Sequence, residues 1–146
     1  MPGDIPPWYQ VALREEGQRE RFGRAENARI LQYHMETRLK AKSELVPWCS
    51  SFVNWCFARV GIDGTRSAAA KSWATWGEET MAKKGAVVFL GKADPDAGGT
   101  GHVGFFDRWD EDLNFFWCLG GNQKNAVNFA KKPTSLIVAV RWPLLS

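Results

Sequence analysis

The sequence predicts an α+β domain in which helices pack on an antiparallel sheet of about five strands. Three observations carry this. The first half of the chain shows helical spacing punctuated by single glycines. From Gly85 onward, short β-prone runs alternate with Gly, Pro, Asp and Asn. No internal repeat, low-complexity tract or long linker divides the 146 residues, so one domain spanning residues 1–146 is expected.

In chain order, Pro6-Pro7 leads into a helix over residues 8–16, stopped by Gly17. A second helix is expected over 25–39, where Ile30, Leu31, Tyr33, His34 and Met35 form a mixed helical pattern. Pro47 precedes a third. There Trp48, Phe52, Trp55 and Cys56 recur at three-to-four spacing, and Gly61 is a natural stop, so this helix starts at or just before Cys49. Ser67 is a candidate N-cap for a short fourth helix over 67–76, which carries three alanines and ends at Gly77. Strands are expected over 85–90, 101–106, 113–119, 126–130 and 136–142. Asp94-Pro95-Asp96-Ala97-Gly98-Gly99 reads as a loop directly before His102.

Composition narrows the chemistry. Nineteen Lys plus Arg against sixteen Asp plus Glu give a net charge of +3, too small and too dispersed to argue for nucleic acid. No apolar stretch of about 18 residues exists to span a bilayer. The N-terminal Met1-Pro2-Gly3-Asp4 lacks the basic and apolar regions of a signal peptide. The expectation is a soluble, monomeric protein made in the cytoplasm. Cys49, Cys56 and Cys118 cannot all pair within one chain, and with only His34 and His102 beside them no zinc spacing appears. EF-hand and phosphate-loop patterns are absent as well. No metal and no cofactor are expected, so the chemistry must come from side chains.

A thiol-dependent hydrolase needs a thiolate, an imidazole within reach and a polar group to orient that imidazole. Cys49 fits the first role: it follows a proline at the expected start of a helix, where the dipole and the first-turn amides lower a thiol's pKa. The same amides can bind a developing oxyanion. Cys56, two turns deeper in an apolar segment, reads as a core residue, as does Cys118 in the aromatic run Phe115-Phe116-Trp117-Cys118. His102, between Gly101 and Gly104 on a strand, leaves room for a substrate backbone to approach. His34, between Tyr33 and Met35 on an amphipathic helix, reads as structural. The eight tryptophans also invite a sugar-stacking reading. Trp48, Trp73 and Trp76 are the candidates to stack on a sugar ring, whereas Trp55, Trp117 and Trp142 read as core.

Three motifs in order then resemble a known family: Pro47-Trp48-Cys49-Ser50-Ser51-Phe52-Val53-Asn54-Trp55, Gly101-His102-Val103-Gly104-Phe105 and Leu119-Gly120-Gly121-Asn122-Gln123. They are similar to the Cys/His amidohydrolase-peptidase (CHAP) and NlpC-type branch of the papain-like superfamily. The likeness extends through Asn27-Ala28-Arg29-Ile30-Leu31, Ser72-Trp73-Ala74-Thr75-Trp76-Gly77 and Arg141-Trp142-Pro143 to a subgroup of small bacterial and phage proteins. The resemblance implies a papain-like fold and a peptidoglycan amidase or endopeptidase working through a thioester, with Cys49 as nucleophile and His102 as base. Asn122 is the best match for the imidazole-orienting residue, with Gln123 as the alternative or as a substrate-binding group. Many relatives carry an acidic residue two positions before that Asn; here the position is Gly120.

The implied partner is peptidoglycan. Without a signal peptide, the enzyme would reach the cell wall through holin-aided lysis, as an endolysin does, or by injection into a rival cell as an antibacterial effector. In the second case an immunity protein is the expected partner. Two other readings stay open: an amidase, deamidase or protease acting on protein, and a wall-binding domain that kept the fold without catalysis.

Overall fold

The computed structural model describes residues 4–21, 27–42, 47–91 and 101–144. Three α-helices come first: α1 (Pro7–Arg14), α2 (Ala28–His34) and α3 (Cys49–Ala58). A 3₁₀ helix (Ala70–Thr75) leads into the strands β1 (Glu78–Glu79), β2 (Val87–Leu90), β3 (His102–Trp109), β4 (Phe115–Gln123), β5 (Ala126–Pro133) and β6 (Ile137–Trp142). Every strand pairing is antiparallel, and the order across the sheet is β1-β6-β2-β3-β4-β5. None of the described helices is long and apolar enough to cross a membrane.

The α+β architecture expected from the sequence is the one observed, with six strands in place of five. The additional strand is β1, whose Glu78 and Glu79 pair with Trp142 and Arg141. Two exposed glutamates give no alternation to read, and such short charged strands are suited to a sheet edge. The second helix ends five residues earlier than its apolar pattern suggests. Asn27 caps its start by accepting from the Arg29 amide at 2.8 Å, and the Thr37 hydroxyl takes the His34 carbonyl at 2.9 Å as the chain turns away. Residues 25–26 of that expected helix, and the Asp94–Gly99 loop, lie outside the described residues. The fourth helix is 3₁₀ rather than α, although Ser67 does accept a bond from the Ala69 amide at 3.1 Å.

The sheet buries both faces. Val87, Phe89, Val103, Phe105 and Leu119 pack with Tyr9, Tyr33, Trp48, Phe52, Phe57 and Trp73 beneath the helices. Val88, Leu90, Phe106, Phe116 and Cys118 form a smaller cluster on the other side. Central β2, with alternate residues in each cluster, is therefore buried along its whole length. Each large side chain in these clusters is worth roughly 1.5–3 kcal/mol, so the helix-side cluster is the larger source of stability.

Two local features set the geometry of the sheet around His102 and Gln123. Gly101 adopts φ +115, and a Cβ there would lie 2.5 Å from the Leu90 carbonyl oxygen, so β3 can begin at His102 only after a glycine. At the end of β4 the register shifts between Gly120 and Gln123, around Asn122 at φ 60. Lys124 and Asn125, both with positive φ, then form a two-residue hairpin turn into β5.

Candidate active site

Cys49 is the first residue of α3 and is 3% exposed. The N-cap position is Trp48, whose own side chain makes no capping hydrogen bond. The first turn closes with the Phe52 amide on the Trp48 carbonyl at 2.9 Å, so the amides of Cys49, Ser50 and Ser51 precede the first intrahelical bond. That end of the helix carries the positive pole of its dipole.

The residues around Cys49 are tied down individually. Trp48 donates its indole N–H to buried Glu20 at 3.0 Å and stacks on Tyr33. Ser50 donates to the Ser67 carbonyl at 2.6 Å and accepts from the Trp73 indole at 2.8 Å. Ser51 Oγ lies 2.8 Å from His34 Nδ1. Asn54, one turn on, accepts from the Arg66 amide at 2.8 Å. Such a set of bonds fixes a helix end in angle as well as position.

His102 opens β3 and is fully buried. Its Nε2 lies 3.0 Å from Gln123 Oε1. The end of β4 links this ring to α3. A Cβ at Gly120 would sit 3.3 Å from His102 Nε2, and a Cβ at Gly121 would sit 2.8 Å from both Phe52 Cβ and the Trp48 ring. His102 and the first turn of α3 thus flank the same pair of glycines.

Several expected site residues take other places. Asn122 is not the group on His102, because strand alternation breaks at the bulge and Gln123 is the side chain delivered to the ring. Trp48 and Trp73 are 0% exposed, with their rings in the aromatic core, and present no face for a sugar. Half-buried Trp76 packs on Phe57 and Trp73. Its open side meets a depression lined by Gly61, Ile62, Asp63, Gly77, Pro143 and Leu144, beyond the opposite end of α3 from Cys49. Trp55 is core, whereas Trp117 and Trp142 are only half-buried.

Cys56 and Cys118 are fully buried, and the Cys56 thiol is pushed well above its ordinary pKa by burial and then by the charge of Glu15. His34 is fully buried against Ser51. Among the described residues no group of three or more His, Cys, Asp or Glu is placed to hold a metal ion. Spacing did not mark Glu20, the partner of Trp48, or Asn128, which bonds Gln123. Both meet the site only through tertiary contact.

The CHAP domain family matches residues 41–128, which includes Cys49, His102 and Gln123. No curated protein matches the chain in sequence. Among solved structures, a Staphylococcus aureus subsp. aureus Mu50 protein, described as similar to lipoprotein of the NLP/P60 family, superposes with a TM-score of 0.55 at 17% identity. The superposition covers 96% of this chain and 41% of that protein, so the chain spans less than half its length, and the likeness is one of fold. With more than half of its residues inside the family match, the chain belongs to the CHAP domain family of cysteine-dependent, peptidoglycan-related hydrolases.

Proposed function

We propose that the chain hydrolyses an amide bond of peptidoglycan, with Cys49 as nucleophile and His102 as its proton acceptor and donor. The observation that supports this most directly is the placing of Cys49 at the first turn of α3, on one side of a glycine pair whose other side meets the Gln123-bound ring of His102.

In this reading His102 takes the Cys49 proton, and the thiolate attacks the amide carbonyl carbon. The carbonyl oxygen becomes an oxyanion, which first-turn amides of α3 are suited to bind. The imidazolium then gives its proton to the leaving nitrogen as the C–N bond breaks, releasing an amine and leaving a thioester. His102 next removes a proton from water, the resulting hydroxide adds to the thioester, and collapse returns the Cys49 thiol and a carboxylic acid. The bond cut is the lactyl-L-alanine amide or a peptide bond of the stem or cross-bridge. The protein works at the cell wall, delivered by lysis or by a specialised secretion apparatus, and an effector role would pair it with an immunity protein.

Digestion of purified peptidoglycan followed by mass spectrometry of the released muropeptides tests the proposal and names the bond. New amine and carboxyl ends in equal number, absent with Cys49→Ala, are the expected result. Absence of new amine and carboxyl ends after treatment with folded wild-type protein, with or without retained wall binding, would overturn it.

A further inference from the structure

Gln123 is 1% exposed, and both ends of its amide are engaged. The oxygen lies on His102 Nε2. The nitrogen donates to the Asn128 carbonyl at 2.7 Å, to Asn128 Oδ1 at 3.0 Å and to the Cys118 carbonyl at 3.3 Å. Asn128 stands opposite Gly120 in the β4–β5 ladder, and its own Nδ2 donates to the Gln123 carbonyl at 3.1 Å. A Cβ at Gly120 would come within 3.0 Å of Gln123 Oε1, so the glycine leaves the volume that the amide fills.

We infer that Asn128 is a positioning residue for the Cys49/His102 couple: by holding the nitrogen end of Gln123, it fixes which ring nitrogen of His102 carries the proton. Rotating the amide by half a turn would set its oxygen against three acceptor oxygens and its NH₂ against the ring. The network therefore allows one orientation. With an oxygen facing it, Nε2 must donate, and a neutral ring then keeps its lone pair on Nδ1 as the basic nitrogen. The same network explains why an amide stands here. A glutamate at 123 would present a second carboxylate oxygen, with no proton to give, to the two main-chain carbonyls and Asn128 Oδ1.

The inference rests on His102 as the base, so its test uses readouts that need no peptidoglycan. The chain has two histidines, so ¹⁵N spectra of histidine-labelled protein contain two rings, and His102→Ala assigns the His102 signals. The companion readout is the pH profile of Cys49 alkylation by iodoacetamide. Wild type is expected to show the Nε2–H tautomer. Asn128→Ala removes Oδ1 and keeps the two main-chain carbonyls, so it should show a minor second tautomer and alkylation slower by up to about fivefold, the ratio of one neutral hydrogen bond. Asn128→Asp keeps the acceptor for Gln123 but sets its second oxygen against the Gln123 carbonyl, so it should restore the Nε2–H tautomer more fully than the alkylation rate. Should Asn128→Ala fail to fold, Asn128→Val, a better strand former, gives the same readout.

Wild-type shifts and profile in Asn128→Ala would overturn the assignment. So would equal loss of the Nε2–H tautomer in Asn128→Asp, which would reduce Asn128 to its bond with the Gln123 carbonyl. An alkylation profile unchanged in His102→Ala overturns the couple itself and with it this role. Failure to cut peptidoglycan while the tautomer and the alkylation behave as expected overturns only the proposed substrate.

Discussion

Cys49 and Cys56 stand seven residues apart on α3, about 10 Å along its axis, and both are almost completely hidden from solvent. Burial does not distinguish them. Cys49 sits where the helix has donors ahead of its first intrahelical bond and a positive pole, both of which favour a thiolate. Cys56 sits in the last turn, toward the negative pole, and burial and Glu15 together push its thiol well upward. The comparison teaches that place on the helix is what sets the proposed nucleophile apart, while side-chain type and exposure are shared. A Trp at the N-cap fits the same logic, since a Ser or Asp there would spend its side chain on the amides that a thiolate or oxyanion can use.

The largest effect expected from this contrast is on rate. Cys49→Ala should lower hydrolysis of dye-labelled peptidoglycan by on the order of 10⁴-fold or more with an unchanged circular dichroism spectrum. Cys56→Ser should retain the rate and instead lose about 1–3 kcal/mol of stability in urea, the cost of a hydroxyl placed in an apolar site. Comparable turnover by Cys49→Ala and wild type would erase the distinction. Reactivity should divide the same way: in native protein iodoacetamide should modify Cys49, while Cys56 and Cys118 react only after denaturation, as read by peptide mass spectrometry. EDTA should leave activity unchanged, and restoration of a lost rate by added zinc or calcium would contradict a mechanism confined to side chains.

What the sequence made legible follows the range of the interactions concerned. Helix α3, with Cys49 at its start, is set by a proline, a three-to-four repeat and a glycine, all local, and it appears where expected. Strands β2, β3 and β6 begin within a residue or two of their β-prone runs for the same reason. The choice between Asn122 and Gln123 depended on whether alternation holds to the end of β4. The bulge that breaks it has a local sign in Asn122 and Asn125, since asparagine tolerates the left-handed region better than most residues. Nothing local distinguishes a tryptophan that stacks on sugar from one buried under a sheet. Trp48 and Trp73 owe their burial to Glu20, Tyr33, Phe57 and Ser50, which come from other parts of the chain.

Trp73 gives an effect on stability alone. Trp73→Phe keeps most of the ring packing on Phe57 and removes the N–H bond to Ser50. A stability loss of about 1 kcal/mol in urea is expected, with KM for peptidoglycan unchanged. A raised KM without loss of stability would return this residue to a substrate groove.

The last expected effect concerns pH, and it extends the contrast to groups that burial keeps neutral and groups that neighbours keep charged. Tyr9 donates to Asp107 from α1, and Tyr33 donates to Glu15 from α2 at 2.7 Å. The pKa of each tyrosine is raised above the tyrosine range, first by burial and then by its carboxylate partner. A raised folded value means that the neutral form is favoured on folding. This contribution is fully present below the unfolded value near pH 10 and is lost as pH rises beyond it. Asp107 runs the other way. Burial pushes its carboxyl up, but hydrogen bonds from Lys84, Tyr9 and Arg108 outweigh it and hold the pKa below the usual carboxylate range. Its contribution is present above about pH 4 and disappears as pH falls through the lowered folded value. Tyr9→Phe should therefore flatten the alkaline limb of a stability-against-pH curve and cost about 1.5 kcal/mol at pH 7, at the low end for a bond to a charged group because two cations remain on Asp107. It should leave the pH dependence of Cys49 alkylation where it was, because its bond lies at Asp107 rather than at the start of α3. Urea titrations from pH 4 to 11 on wild type and Tyr9→Phe decide this: parallel curves would show that the tyrosine does not carry the alkaline loss.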